Sequence, residues 1–249
     1  MRPDWHKRIA LGALVLPLLA SGCHRSLPEN TPPAIRLPGP PRPDPVVAVK
    51  RTTVEQLTFR IDRRLSSSHI ATSLDPDGLG ARHTRCTCPL EGEVTARLVH
   101  RPDGTRTFTI DRVALATTDT ARLAYNWTPL IGKISTTIPG GELRITDHEI
   151  PGGTALAPDG RFRQDGVHFS VRCQAEIAAT GLVLSRQVPD QRADLDITKT
   201  TPVSISGTVW REDGRWFLRV PSAVMRDGFD LEGNELELTF TADITAVAE

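Results

Sequence analysis

Val167-His168-Phe169-Ser170-Val171-Arg172-Cys173-Gln174-Ala175-Glu176-Ile177 is the stretch that decides the fold class. Val167, Phe169, Val171, Cys173, Ala175 and Ile177, of one parity, are all apolar, and the residues between them are all polar. Side chains alternate between the two faces of a strand, so this pattern means one buried face and one wet face, as in antiparallel sheets. Leu236, Leu238, Phe240, Ala242, Ile244 and Ala246 repeat it, interleaved with Glu235, Glu237, Thr239, Thr241, Asp243 and Thr245. Shorter runs follow the same rule: Leu57-Phe59-Ile61, Val94-Ala96-Leu98, Ala121-Leu123-Tyr125-Trp127, Ala193-Leu195-Ile197 and Val203-Ile205-Val209. No segment sustains a 3.6-residue period.

Turn chemistry agrees. Asp-Gly occurs at 77–78, 103–104, 159–160, 165–166, 213–214 and 227–228. Between alternating runs it marks a hairpin, because both residues accept positive φ. One short helix is expected from Thr128-Pro129, a cap followed by proline at the first helical position. Val94–Leu115 aligns without gaps on Ser204–Met225, with Asp-Gly at the same place in each. Both segments then switch apolar parity, after Ile110 and after Val220, as a β-bulge would. Gly141–Ile145 echoes Asn234–Leu238 more loosely. The expected fold is all-β: an antiparallel β-sandwich or barrel-like double sheet over residues 47–249, with a weak internal duplication.

The 249 residues contain 30 Lys+Arg and 30 Asp+Glu, for a net charge of zero. That excludes broad electrostatic capture of nucleic acid, which needs an excess of cations. With 39% hydrophobic and 24% charged residues the chain is globular in composition. Aromatics are 5%, with one Tyr, too few for base- or sugar-stacking platforms.

Residues 1–22 read as an export signal. Arg2, Lys7 and Arg8 precede an apolar run from Ile9 to Ala20, broken by Gly12 and Pro17. The run is too short for the ~20 residues of a spanning helix. It ends Leu19-Ala20-Ser21-Gly22-Cys23, which resembles the lipobox of bacterial lipoproteins. The resemblance covers residues 1–23 only. It implies cleavage before Cys23, acylation of Cys23 and a membrane anchor. Several acyl chains hold stably where a single one does not. With His24 rather than Asp after the cysteine, the family's sorting habit in a Gram-negative host favours the outer membrane, facing the periplasm. Residues 23–46 then form the lipid-anchored end and a tether. Eight prolines lie between 28 and 45, each lacking an amide donor and fixing φ, so an extended spacer is expected.

Cys86, Cys88 and Cys173 are the remaining cysteines. All three lie on inward parity, and an exported protein meets an oxidising compartment. A disulfide from Cys173 to Cys86 or Cys88 is therefore expected. Two alternatives are a Zn or Cu(I) site from His83, Cys86, Cys88 and Cys173, and thiol exchange through Cys86-Thr87-Cys88. Against the metal, C-x-C is tighter than the usual C-x₂-C knuckle. Asp75-Pro76-Asp77-Gly78 begins like a calcium loop, but no carboxylate follows, so it reads as a turn. Asp147-His148-Glu149 and Ser66-Ser67-Ser68-His69 lack an oriented nucleophile–base pair and read as a strand end and a loop. Residues 229–249 hold six acidic side chains and no Lys or Arg, read as a solvated strand face.

No cofactor motif is present and no cofactor is expected. The first functional reading is a lipid-anchored, non-catalytic binding or assembly module of the cell envelope. Its partners would be the membrane through Cys23 and another envelope protein. The second is a carrier of a lipid or other hydrophobe between the sheets. An enzyme ranks last. A packed interior favours the module and a hollow one the carrier.

Overall fold

The computed structural model describes residues 51–76, 79–231 and 234–248. The signal segment, Cys23, the tether and the Asp77-Gly78 dipeptide lie outside them. In chain order the strands are β1 (Thr53–Ile61), β2 (Ser67–Leu74), β3 (Arg82–His100), β4 (Arg106–Thr117), β5 (Ala121–Asn126), β6 (Lys133–Ile138), β7 (Leu143–Glu149), β8 (Thr154–Ala155), β9 (Arg161–Thr180), β10 (Gln191–Asp194), β11 (Val203–Glu212), β12 (Arg215–Leu231) and β13 (Asn234–Ala248). A four-residue helix, α1 (Leu184–Gln187), precedes β10.

Every pairing is antiparallel, and the sheet closes on itself. β1 and β2 both lie between β3 and β13, one after the other, and act as a single interrupted stave. The chain between them bends at residues 62–66, where the Ser66 hydroxyl donates to the Thr245 carbonyl (3.0 Å). β4 continues into β5, and β6 into β7; β10 runs on toward β11. The result is a meander of eight staves: β1/β2, β3, β4/β5, β6/β7, β9, β10/β11, β12 and β13, the last returning to the first. Of the two all-β architectures expected, the barrel is the one observed. Closure removes the sheet edges that would otherwise template aggregation.

The wall is thinnest between β11 and β12. β12 pairs with β13 along its whole length, but with β11 only from Thr208↔Arg219 to Glu212↔Arg215. Higher up, the Thr201 hydroxyl donates to the Arg226 carbonyl (2.7 Å), and the Thr201 amide to Asp227 Oδ2 (3.1 Å).

The alternation works as the hydrophobic pattern requires. Val167, Phe169, Val171, Cys173, Ala175 and Ile177 of β9 are all buried, as are Leu236, Leu238, Phe240, Ala242, Ile244 and Ala246 of β13. Outward positions on staves around the wall carry Arg60, Glu93, Arg97, Arg112, Arg144, Arg172 and Arg219. A barrel that crosses a bilayer needs an apolar outer belt ~25 Å tall. Here the apolar face is inside and these outward positions are charged, the reverse of that pattern.

The duplicated pattern has a structural counterpart. The β3–β4 and β11–β12 hairpins sit four staves apart in the ring of eight. Each carries a bulge at the matching place: Asp111 in β4, and Pro221-Ser222 in β12. The looser echo relates β7 to β13, again four staves apart.

Three local expectations need correction. Thr128-Pro129 opens a tight turn, closed by the Gly132 amide on the Thr128 carbonyl (2.9 Å), not a helix. Asp165-Gly166 is not a hairpin but a bulge inside β9: Val203 faces Val167 and Ile205 faces Gln164, with Gly166 at φ 75°. Asp227-Gly228 lies within β12, paired with Leu238 and Glu237. By contrast, Asp213 (φ 49°) and Gly214 (φ 81°) make the primed hairpin turn expected of them.

Candidate functional site

Among the described residues the interior is closely packed, and two small apolar cavities lie within it. One of about 50 Å³ lies at mid-height among Val94, Ile110, Phe169, Ile205, Leu218 and Phe240. The other, about 30 Å³, lies higher among Ile70, Leu123, Tyr125, Val171, Cys173 and Leu238. Ligand pockets are typically on the order of 300 Å³ or more. Ser68, Thr72 and Gln164 inside are hydrogen-bonded, whereas Thr117 Oγ1 is buried without a partner among the described residues. Tyr125, the only tyrosine, is buried with its hydroxyl 2.6 Å from Thr72 Oγ1. Burial raises its pKa.

The three barrel cysteines are free thiols, and the expected bridge from Cys173 is not formed. Cys86 and Cys88 both point inward from β3, opposite Ile70 and Ser68 of β2. Cys173 points inward from β9, opposite Leu143. Two staves separate β3 from β9 on one side of the ring, so shared inward parity does not bring these sulfurs together. Burial pushes the Cys86 thiol up to about 12, with the neighbouring Cys88 adding to it. Burial also raises Cys173 to about 12, with Asp196 and Glu142 reinforcing it, and raises Cys88. Thiols so disfavoured as thiolates are poor nucleophiles and poor metal ligands.

The metal set fails on geometry. His83 is on the outer face, in an open trough of about 370 Å³ with Ala71, Ser73, Arg85, Glu237 and Thr239. Cys86 and Cys88 are inside. Among the described residues no three His, Cys, Asp or Glu side chains gather as a metal site.

Asp147-His148-Glu149 ends β7 where it meets β9 and the chain before β11, with His148 and Glu149 exposed and Asp147 half-buried on the parity of Ile145. Lys199 binds Glu149 (2.6 Å) and holds its carboxyl below the usual range. His148 Nδ1 is 3.4 Å from Ser170 Oγ, but that hydroxyl donates instead to the Thr198 carbonyl at 2.6 Å. Asp147 accepts the Val113 amide (2.9 Å) and His168 Nδ1 lies 2.7 Å from the Thr200 carbonyl. The groups are committed to joining three chain segments, and Ser170 is not oriented as a nucleophile. Ser66-Ser67-Ser68-His69 is structural too: Ser68 is buried and donates to the Cys88 carbonyl (3.0 Å). Of the acidic carboxyl-terminal run, Glu237 and Asp243 take the outward positions of β13.

Sequence reasoning missed two features. Gln164 is buried on the inward parity of Phe162, and a polar residue there was a readable signal. The other is the end of the barrel where Leu130 and Leu182 stand 64% and 62% exposed. Single exposed leucines carry no signal in a sequence.

No family model matches the chain, and no curated protein does. Among solved structures it is similar to Ail, the attachment invasion locus protein of Yersinia pestis, at 10% identity and a TM-score of 0.29, covering 77% of this chain and 99% of that one. The same protein in complex with the heparin analogue sucrose octasulfate gives 9% identity, a TM-score of 0.29, and coverage of 76% and 98%.

Proposed function

We propose that this chain is an exported lipoprotein, anchored to the cell envelope by Cys23, whose barrel is a non-catalytic binding or assembly module. The lipobox at 19–23 supports the anchor and the envelope location. The observation that carries the module over the carrier is the filled barrel: its cavities of about 50 and 30 Å³ lie far below the space a lipid needs. Recognition then falls to the outer wall and the barrel ends, with the tether setting their reach. In a Gram-negative host the expected site is the outer membrane, on its periplasmic side.

The test is metabolic labelling with a radioactive fatty acid, followed by membrane fractionation of wild type and Cys23→Ser. Label on the wild type and release of the variant support the reading. Unlabelled, soluble wild type overturns it. For the barrel, purified protein should carry no extractable lipid. A stoichiometric lipid found inside would restore the carrier.

A further inference from the structure

The barrel ends in two loops that abut, residues 127–132 between β5 and β6 and residues 181–190 after β9. They are welded. The Trp127 amide donates to the Gly132 carbonyl (3.0 Å) and closes the first loop, and the Leu184 amide donates across to the Ile131 carbonyl (3.1 Å). Gly132 (φ 117°) and Gly181 (φ 102°) sit where the loops touch; a Cβ on Gly132 would overlap the Thr180 carbonyl oxygen, and one on Gly181 the Gly132 backbone. Leu184, fully buried, pins the second loop from below. The tip is therefore rigid, yet Leu130 and Leu182 point into solvent, flanked by half-buried Ile131 and Val183.

Its charges are mainly positive, the one acid in the two loops being the exposed Asp190 at the far end of the second. There is no acidic residue between Asn126 and Lys133, or between Thr180 and Gln187. Lys133 and Arg186 are exposed, and Arg82 lies 5.8 Å over the Trp127 ring. None of the three cations is in an ion pair among the described residues, whereas Arg192 nearby is bound to Glu176 at 3.2 Å. Apolar points ringed by unpaired cations, beside an indole, suit the boundary between acyl chains and anionic headgroups.

We propose that this tip is a membrane-docking surface, inserting Leu130 and Leu182 into an anionic bilayer while Lys133, Arg186 and Arg82 meet the lipid phosphates. The contact is distinct from the Cys23 anchor. Arg51, the first described residue, adjoins β1, whose Thr53 pairs with His100 at the opposite end of the barrel. The tip therefore faces away from the end at which the chain enters.

The test uses the chain from residue 23 with Cys23→Ser, which keeps the tether and the whole barrel and has no acyl group. It is co-sedimented with phosphatidylcholine vesicles and with vesicles containing about 30% phosphatidylglycerol. Binding is expected to the anionic vesicles only and to weaken with salt. The Leu130→Asp/Leu182→Asp double variant should lose roughly tenfold or more in binding. Trp127 should be quenched by brominated lipid while Trp210 and Trp216, near the other end, are not. A chain that ignores anionic vesicles overturns the proposal. So does a double variant that binds as well as its parent, or quenching at Trp210 and Trp216 instead. A partner protein that loses binding with the double variant, while vesicles never bind, reassigns the tip to protein docking.

Discussion

Gln164 of β9 takes the place of a missing strand for Ile110 of β4. Its side-chain Oε1 accepts the Ile110 amide (3.0 Å), its Nε2 donates to the Ile110 carbonyl (3.3 Å), and it also donates to the Pro151 carbonyl (2.9 Å). β4 pairs with β7 only over Ala114–Ala116 and with β8 only over Thr107–Phe108. Between these, beside the Asp111 bulge, the backbone would be buried without partners. Asp147 does the same for Val113. Buried main-chain groups must be paired somewhere, and here side chains pair them.

Gln164→Leu should therefore destabilise far more than its volume suggests. Leaving buried donors and acceptors unpaired costs about 1–3 kcal/mol per group, so a loss of about 3 kcal/mol is expected in denaturant melts. A change under 0.5 kcal/mol would show that water fills the gap at no cost.

Phe240 and Glu237 separate the two faces of β13. Phe240 is 4% exposed and borders the mid-height cavity, whereas Glu237 is exposed. Phe240→Ala should cost about 3–5 kcal/mol, and Glu237→Ala less than about 0.5 kcal/mol. Urea midpoints of the two variants decide it; an unmoved midpoint for Phe240→Ala would remove β13 from the core.

Thiol counting on denatured, unreduced protein should find three reactive barrel thiols, and native protein should alkylate slowly. One thiol in place of three would reinstate a disulfide. The raised pKa values also set a pH dependence. Folded Cys86 and Cys173 titrate near 12, against about 9 for a free thiol. Between those values the unfolded chain binds fewer protons, so stability is intact below pH ~9 and falls as pH climbs toward 12. Thermal melts of wild type and Cys86→Ala/Cys173→Ala across that window should diverge, with the variant losing less.

Gly132→Ala tests the weld between the end loops. The new Cβ meets the Thr180 carbonyl oxygen in a left-handed conformation. A cost of about 1–3 kcal/mol is expected, with faster hydrogen exchange at Leu184, whose amide is held by Ile131. Unchanged exchange there would mean the loops are not coupled.

Alternation was legible because it is local: in β9 and β13 each residue's face follows from its neighbour's, whatever the sheet does later. The bulges after Ile110 and Val220 showed for the same reason, as parity switches. Asp165-Gly166 misled because a glycine with positive φ serves a hairpin and a bulge equally. Thr128-Pro129 misled because a cap and a proline can open a single turn as well as a helix.

Closure and its consequences belonged to the tertiary structure. Parity could place Cys86, Cys88 and Cys173 inside, but only the ring order puts two staves between β3 and β9. The same order brings Gln164 to Ile110, 54 residues away. It is also the ring that fills the lumen and welds residues 127–132 to the loop after β9. These are contacts between distant segments, set by register around a closed barrel, and a local pattern holds no information about which stave stands opposite.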